Sequence, residues 1–280
     1  MKNKAKYCGV SLAAFVALVL VANPSQAGVE DFESMSLGSV NGQLGWSATN
    51  PNMDQAVEDT GSGNQALRIS NAYTASSFGD QIFTPHSGMV AGEGAAFNRF
   101  YGAFDFWSVT TAYQENLSVT VSPDNGSGAR QSFIDIEDSL DGIDLLFYDY
   151  DFSTHAFVGT HIATDLARDS VYNLGFEILF VDGQDNDIVN IYLDNTLIHT
   201  GTSWEQYYVD VQPLAVPVTI DTLLFRQSGT ADPGLQGGGY YFDNFQVTAS
   251  VVPLPGAAAL GFLGMGLIGV RRRFRKSAEN

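Results

Sequence analysis

The sequence predicts an all-β fold, a single antiparallel β-sandwich, on three observations. Apolar and polar residues alternate with a period of two in segment after segment, the signature of strands with one buried face. No apolar stripe of 3.6-residue period is long enough to cover a sheet, which disfavours α/β folds. No internal repeat of fixed period is present, which argues against solenoids and propellers. Two stacked antiparallel sheets are the economical architecture that remains.

In chain order, the first segment is an export signal. Lys2, Lys4 and Lys6 form a basic n-region, Gly9 to Ala22 an apolar h-region, and Ser25-Gln26-Ala27 a small-residue cleavage site, so residues 1–27 are expected to be removed. Cys8, the single cysteine, lies inside this segment, and the mature domain has neither disulfides nor thiolate chemistry. The domain itself is expected to span 28–249, a length that suits one sandwich. Leu117, Val119 and Val121 alternate with Ser118, Thr120 and Ser122 as a half-buried strand, and a turn cluster around Asn125-Gly126 leads to its hairpin partner, Ser132 to Glu137. Leu174, Phe176, Ile178 and Phe180 repeat the period. Val189, Ile191 and Leu193 follow and stop at Asp194-Asn195, a pair that tolerates the positive φ of a two-residue turn, with Thr196 to Thr200 returning. Leu223 and Phe225 continue the pattern, and Tyr241 to Val247 is the last strand. A short helical turn is expected only around Thr164 to Ser170.

Charge narrows the function. Between the two terminal segments the chain carries five arginines (Arg68, Arg99, Arg130, Arg168, Arg226), no lysine and 30 carboxylates, a formal charge of −25. A surface of that sign repels nucleic acid and anionic lipid, so nucleic-acid binding is excluded. The acidity suits solubility outside the cell.

Residues 250–280 form the second terminal device. Val252, Pro253, Leu254, Pro255 and Gly256 precede the apolar run 257–270, and Arg271, Arg272, Arg273, Phe274, Arg275 and Lys276 close it. As a helix, Gly256 to Val270 covers roughly 22 Å at about 1.5 Å per residue. That is short of the ~30 Å hydrocarbon core, and the basic end would stay in the cytoplasm. This order of proline motif, glycine-rich apolar segment and arginine cluster is similar to the PEP-CTERM sorting signal of Gram-negative bacteria, in its Val-Pro-Leu-Pro-Ala variant with Gly256 in place of the alanine. The resemblance implies an exosortase-type processing enzyme as partner, transient anchorage in the inner membrane, and release toward the cell surface or extracellular matrix.

A second resemblance concerns the domain. Phe176 to Leu197, the opening Asp31-Phe32-Glu33 and the closing Tyr241-Phe242-Asp243-Asn244 resemble strands of concanavalin A-like lectin and glucanase jelly rolls and of carbohydrate-binding jelly rolls. It implies that the two chain ends pair and that a structural calcium sits beside them. The period of two places Asp243 on the inner face with Phe245 and Val247, where a carboxylate needs a cation, an arginine such as Arg226, or several donors. Glu33 is the expected co-ligand for calcium. Asp182, Asp185 and Asp187 are a second acidic group, read as a solvated turn because the spacing of a calcium loop is incomplete.

Catalysis finds less support. Asp135 and Glu137 share a strand face and offer the one carboxylate pair a glycosidase needs. The Glu-x-Asp-x-x-Glu of jelly-roll glucanases fails, because Ser139 and Gly142 stand where the second and third acids belong. His86, His155, His161 and His199 lack zinc-ligand spacing, and no G-x-S-x-G elbow occurs. The candidates for binding are aromatics, Trp204, Tyr207 and Tyr208 in one polar stretch and Tyr240 and Tyr241 after a glycine-rich loop, which either stack on sugars or fill the core and strand edges. The expected function is a non-catalytic surface or matrix protein binding extracellular polysaccharide. A secreted polysaccharide-cleaving enzyme and a purely structural matrix component are the alternatives.

Overall fold

The computed structural model describes residues 30–73, 80–212, 218–227 and 230–253. The expected export signal, 1–27, and all but residues 250–253 of the expected sorting tail, 250–280, lie outside them. Among the described residues no helix is long and apolar enough to cross a membrane. The strands in chain order are β1 (Ser47–Ala48), β2 (Gln55–Gly61), β3 (Asn64–Ile69), β4 (Gln81–Phe83), β5 (Arg99–Ser108), β6 (Ser118–Asp124), β7 (Phe133–Asp138), β8 (Ile143–Asp151), β9 (Ala156–Leu166), β10 (Tyr172–Leu179), β11 (Ile188–Leu193), β12 (Thr196–Gly201), β13 (Thr222–Gln227) and β14 (Tyr240–Ser250). Among the described residues one α-helix forms, α1 (Glu205–Asp210), between β12 and β13.

These strands make two antiparallel sheets of seven, ordered β1-β4-β13-β6-β7-β8-β9 and β12-β11-β10-β5-β14-β3-β2. The hairpins read from the sequence are present. β6 pairs with β7 with Val121 opposite Ile134, and Gly126 takes φ 78° in the turn between them. β11 pairs with β12 through Asp194 (φ 50°) and Asn195 (φ 62°). The chain ends also meet: the Glu30 and Phe245 backbones exchange two hydrogen bonds of 2.9 Å.

Three expectations are corrected. Thr164 to Leu166 belongs to β9, followed by a turn closed by the Ser170 N–H on the Ala167 carbonyl (3.3 Å), so no helix forms there. The helix forms instead at Glu205–Asp210, within the stretch read as polar loop. Asp243 is not on the inner face. A bulge in β14 between Asp243 and Gln246, with Asn244 at φ 52°, shifts the parity, so that Phe242 and Phe245 both enter the core and Asp243 turns outward opposite Asp105. Arg226, on the other sheet, does not pair with it: its guanidinium donates to Thr120 Oγ1 at 3.2 Å.

The two sheets lock through aromatic rings. Phe225 of the first sheet lies 5.4, 5.0 and 5.3 Å from Phe104, Phe242 and Phe245 of the second, all edge to face. Phe245 continues the contact to Trp46 (5.1 Å) and Phe32 (5.6 Å), tying the N-terminal segment down. Each ring is almost fully buried. Replacing Phe225 by alanine is therefore expected to lower unfolding free energy by about 3–5 kcal/mol in chemical denaturation, and a loss under 1 kcal/mol would show that the sheets are held together elsewhere.

Candidate functional site

The outer face of the first sheet, opposite its core side, carries the site. On β7 the alternation that buries Ile134 and Ile136 turns Phe133, Asp135 and Glu137 outward. Register places Tyr148 of β8 beside Phe133, and Phe157 of β9 beside Tyr150. Phe133 and Tyr148 stack with ring centres 4.4 Å apart. The segment leading into α1 packs across these rings. Trp204 sits 5.0 Å from Phe133 and 4.3 Å from Phe157, and its indole N–H donates to the Tyr148 carbonyl (3.1 Å). Tyr207 lies 5.1 Å from Phe157 and 5.5 Å from Tyr150. Tyr208 anchors the other end of the helix: its hydroxyl accepts from the Arg130 N–H (2.8 Å) and donates to the Arg130 carbonyl (2.7 Å).

Together these elements enclose a cavity of about 260 Å³ lined by Gly128, Arg130, Phe133, Phe157, Trp204, Tyr207, Tyr208, Gln212 and Arg226. Phe157 is its most open ring, at 38% exposure, whereas Trp204 and Tyr208 are largely buried, at 6% and 8%. Trp204, Tyr207 and Tyr208, singled out together in the sequence, all line this cavity. The sequence pattern missed Phe133, Phe157, Arg130 and Arg226, which reach the cavity from distant points in the chain.

The remaining expected ligand-binding aromatics are elsewhere. Tyr240 is fully buried on the inner face of the second sheet, packed on Phe106 and Phe242, and offers no surface to a sugar. Alternation then places Tyr241 on the outer face of that sheet, its hydroxyl donating to Glu58 (3.1 Å) and its ring 5.4 Å from Trp107. Neither belongs to the cavity.

Asp135 and Glu137 do share a face. Asp135 accepts from the Thr120 hydroxyl and bonds the Tyr148 hydroxyl. Burial, then the Asp135 charge, raises the Glu137 carboxyl above its ordinary value. The expected calcium pair is also close enough to interact. Burial pushes Asp243 up to about 6, with Glu33 and Asp105 adding to the rise and the Asn244 N–H opposing it. Yet Glu33 is spent on the Gln65 N–H (3.1 Å), and among the described residues no group of three or more His, Cys, Asp or Glu is placed to hold a metal ion. The donor set does not fit calcium. The second acidic group divides: Asp182 and Asp185 are exposed, but Asp187 is buried, accepting from the Val181 N–H (2.9 Å) and the Ser203 hydroxyl (2.7 Å) at the entry to α1.

No protein-family model matches the chain, and no curated protein sequence matches it. Among solved structures it is similar to a carbohydrate esterase from a Shiga toxin-encoding bacteriophage, at 14% identity over 81% of this chain and 100% of that one, TM-score 0.47. It is also similar to a cellulose-induced protein, at 14% identity over 81% and 99%, TM-score 0.44. A family 7 alginate lyase in complex with substrate matches at 12% identity over 71% and 82%, TM-score 0.44. At such identities and scores, neither residues nor chemistry transfer to this chain.

The acids beneath α1 make stability depend on pH. Burial, with the Glu93 charge, pushes Asp187 up to about 6, and burial with Asp187 and Glu93 pushes Glu205 up to about 7. A carboxyl whose pKa is raised by folding binds more protons folded than unfolded, so between its unfolded value near 4 and its folded value stability falls as pH rises. The melting temperature is accordingly expected to be higher at pH 5 than at pH 8, and Glu205→Gln to flatten that difference. A melting temperature that rises from pH 5 to pH 8 would contradict this electrostatic reading.

Proposed function

We propose that this protein is exported, held briefly at the inner membrane by its sorting tail, processed by an exosortase-type enzyme, and retained at the surface or in the extracellular matrix of a Gram-negative bacterium, where its β-sandwich binds polysaccharide without cleaving it. The export half is supported by the sequence of residues 1–27 and by the succession of proline motif, apolar run and basic cluster from Val252 to Lys276. The binding half rests on one observation: Phe157, Trp204 and Tyr207 converge from β9 and α1 on a single open cavity. Aromatic faces shed water at little entropic cost and pack on the C–H faces of sugar rings. A cavity of about 260 Å³ suits one sugar unit of a longer chain, below the roughly 300–1,000 Å³ of sites that engulf whole small molecules.

A cleaving enzyme is the second reading. It is favoured by the raised carboxyl of Glu137 two residues from Asp135, both on the strand that supplies Phe133 to the cavity. Two carboxyl groups on one strand face, one of them raised above its ordinary value, form the kind of pair that glycoside hydrolysis uses. One experiment separates the readings: a panel of soluble polysaccharides titrated into the secreted domain (residues 28–253, which hold the whole described core), with reducing ends and unsaturated products followed in the same mixtures. Saturable binding without product is expected. Phe157→Ala should weaken binding by roughly 2–10-fold, or about 0.5–1.5 kcal/mol, with a cooperative melting transition retained. Product that accumulates with time and disappears in Glu137→Gln would establish the enzyme instead.

A further inference from the structure

The chain uses arginine sparingly, and where it places the five is informative. Arg68 is locked to Asp54 and Glu58 at 2.7 Å, Arg99 to Glu177 at 2.6 Å, and Arg168 to Asp138 at 2.7 Å. These three tie strands and loops together. The other two, Arg130 and Arg226, come from different segments and line the same cavity. In a domain of formal charge −25, this gathers two of the five positive charges in one small volume.

Arg130 is the more telling. Its residue is only 5% exposed, and among the described residues its guanidinium makes no hydrogen bond and no ion pair. The carboxylate that influences it most, Asp124, spends Oδ1 on the Ser127 and Gly128 N–H groups (both 3.1 Å). Burial pulls Arg130 below its ordinary pKa, and it does the same to Arg226, with the Arg130 charge adding to the effect. Arg226 donates to Thr120 and lies 5.9 Å over the Phe133 ring, which fixes its fork at the cavity wall. Arg130 is thus a buried cation without a partner, and the nearby charge of Arg226, itself eased by Asp135, adds to its cost. An anion entering the cavity would offset both terms, and a planar carboxylate or a sulfate matches the arginine fork through paired N–H donors.

We propose that the cavity between α1 and the outer face of the first sheet binds an anionic sugar unit, a uronate or a sulfated sugar, with its acid group held by Arg130 and Arg226 and its ring against Phe157 and Tyr207. The inference rests on the polysaccharide-binding reading and names the class of polymer. It also explains selectivity in an acidic protein. Within about a Debye length of its surface the acidic domain repels polyanions, so only a sugar that enters the cavity and meets the two arginines is retained.

The test is calorimetric titration of the secreted domain with oligogalacturonate, dextran sulfate and neutral dextran, repeated on Arg226→Gln, Arg130→Lys and Phe157→Ala, with melting temperatures confirming that each variant is folded. At least one acidic polymer is expected to bind ten or more times tighter than dextran, and which of the two prevails assigns the anion as carboxylate or sulfate. Arg226→Gln should lower that affinity at least tenfold, and Arg130→Lys, which keeps the charge but loses the fork, should lower it as well. Dextran bound as tightly as the acidic polymers, or acidic binding unchanged in both arginine variants, overturns the anionic assignment while leaving the polysaccharide reading intact. Absence of binding to every polymer, neutral and acidic, overturns both.

Discussion

The contact of Phe225 with Phe104, Phe242 and Phe245 is the constraint on which the rest of the sandwich depends. With Cys8 the single cysteine of the sequence, the sandwich has no disulfide and must be held by its core. Here the core is cross-linked by rings reaching from one sheet to the other. The bulge in β14 is what makes this possible, because it lets two phenylalanines three residues apart enter the same interior. The same parity shift moves Asp243 to the outer face of its sheet, where its carboxylate, still buried, accepts from the Asn244 N–H (2.7 Å) and the Asn64 side-chain amide (3.4 Å). One irregular residue, Asn244 at positive φ, therefore governs both the packing and the electrostatics of the terminal strand.

With the inner face committed to packing, function falls to the outer face. The first sheet presents aromatic and polar residues there, and α1 covers part of them to form a walled cavity instead of a flat surface. The helix is six residues long and is fixed at both ends, by the Trp204 indole on the Tyr148 carbonyl and by the Tyr208 hydroxyl on the Arg130 backbone. Tyr208 thus joins the helix to one of the two arginines, and the shape of the cavity and its charge depend on the same contact.

The strands with clean alternation, such as Leu117 to Ser122 and Val189 to Leu193, were legible because one face meets a core and the other meets solvent or polar neighbours. The Asp194-Asn195 turn was legible because few residues accept positive φ twice in succession. The helix at Glu205–Asp210 was not, since six residues carry too little periodicity to stand out, and its aromatics read equally well as loop. Asp243 was misplaced because alternation cannot foresee a bulge. In the site, Trp204, Tyr207 and Tyr208 were found because they are neighbours in sequence. Phe133, Phe157, Arg130 and Arg226 meet them only through sheet register and were invisible to local reading. The scarcity of arginine was the one signal that pointed toward the last two.

The most direct measurement uses the three tryptophans, of which only Trp204 lines the cavity, Trp46 being in the core and Trp107 on the other sheet. Intrinsic fluorescence is followed while an oligouronate or sulfated oligosaccharide is added to the native domain and to Trp204→Phe. The account predicts a saturable change in the native protein that vanishes in the variant, while calorimetry still detects binding to it. A change that survives the substitution, or calorimetric binding with no change in the native protein, would place the ligand away from the cavity and contradict the account.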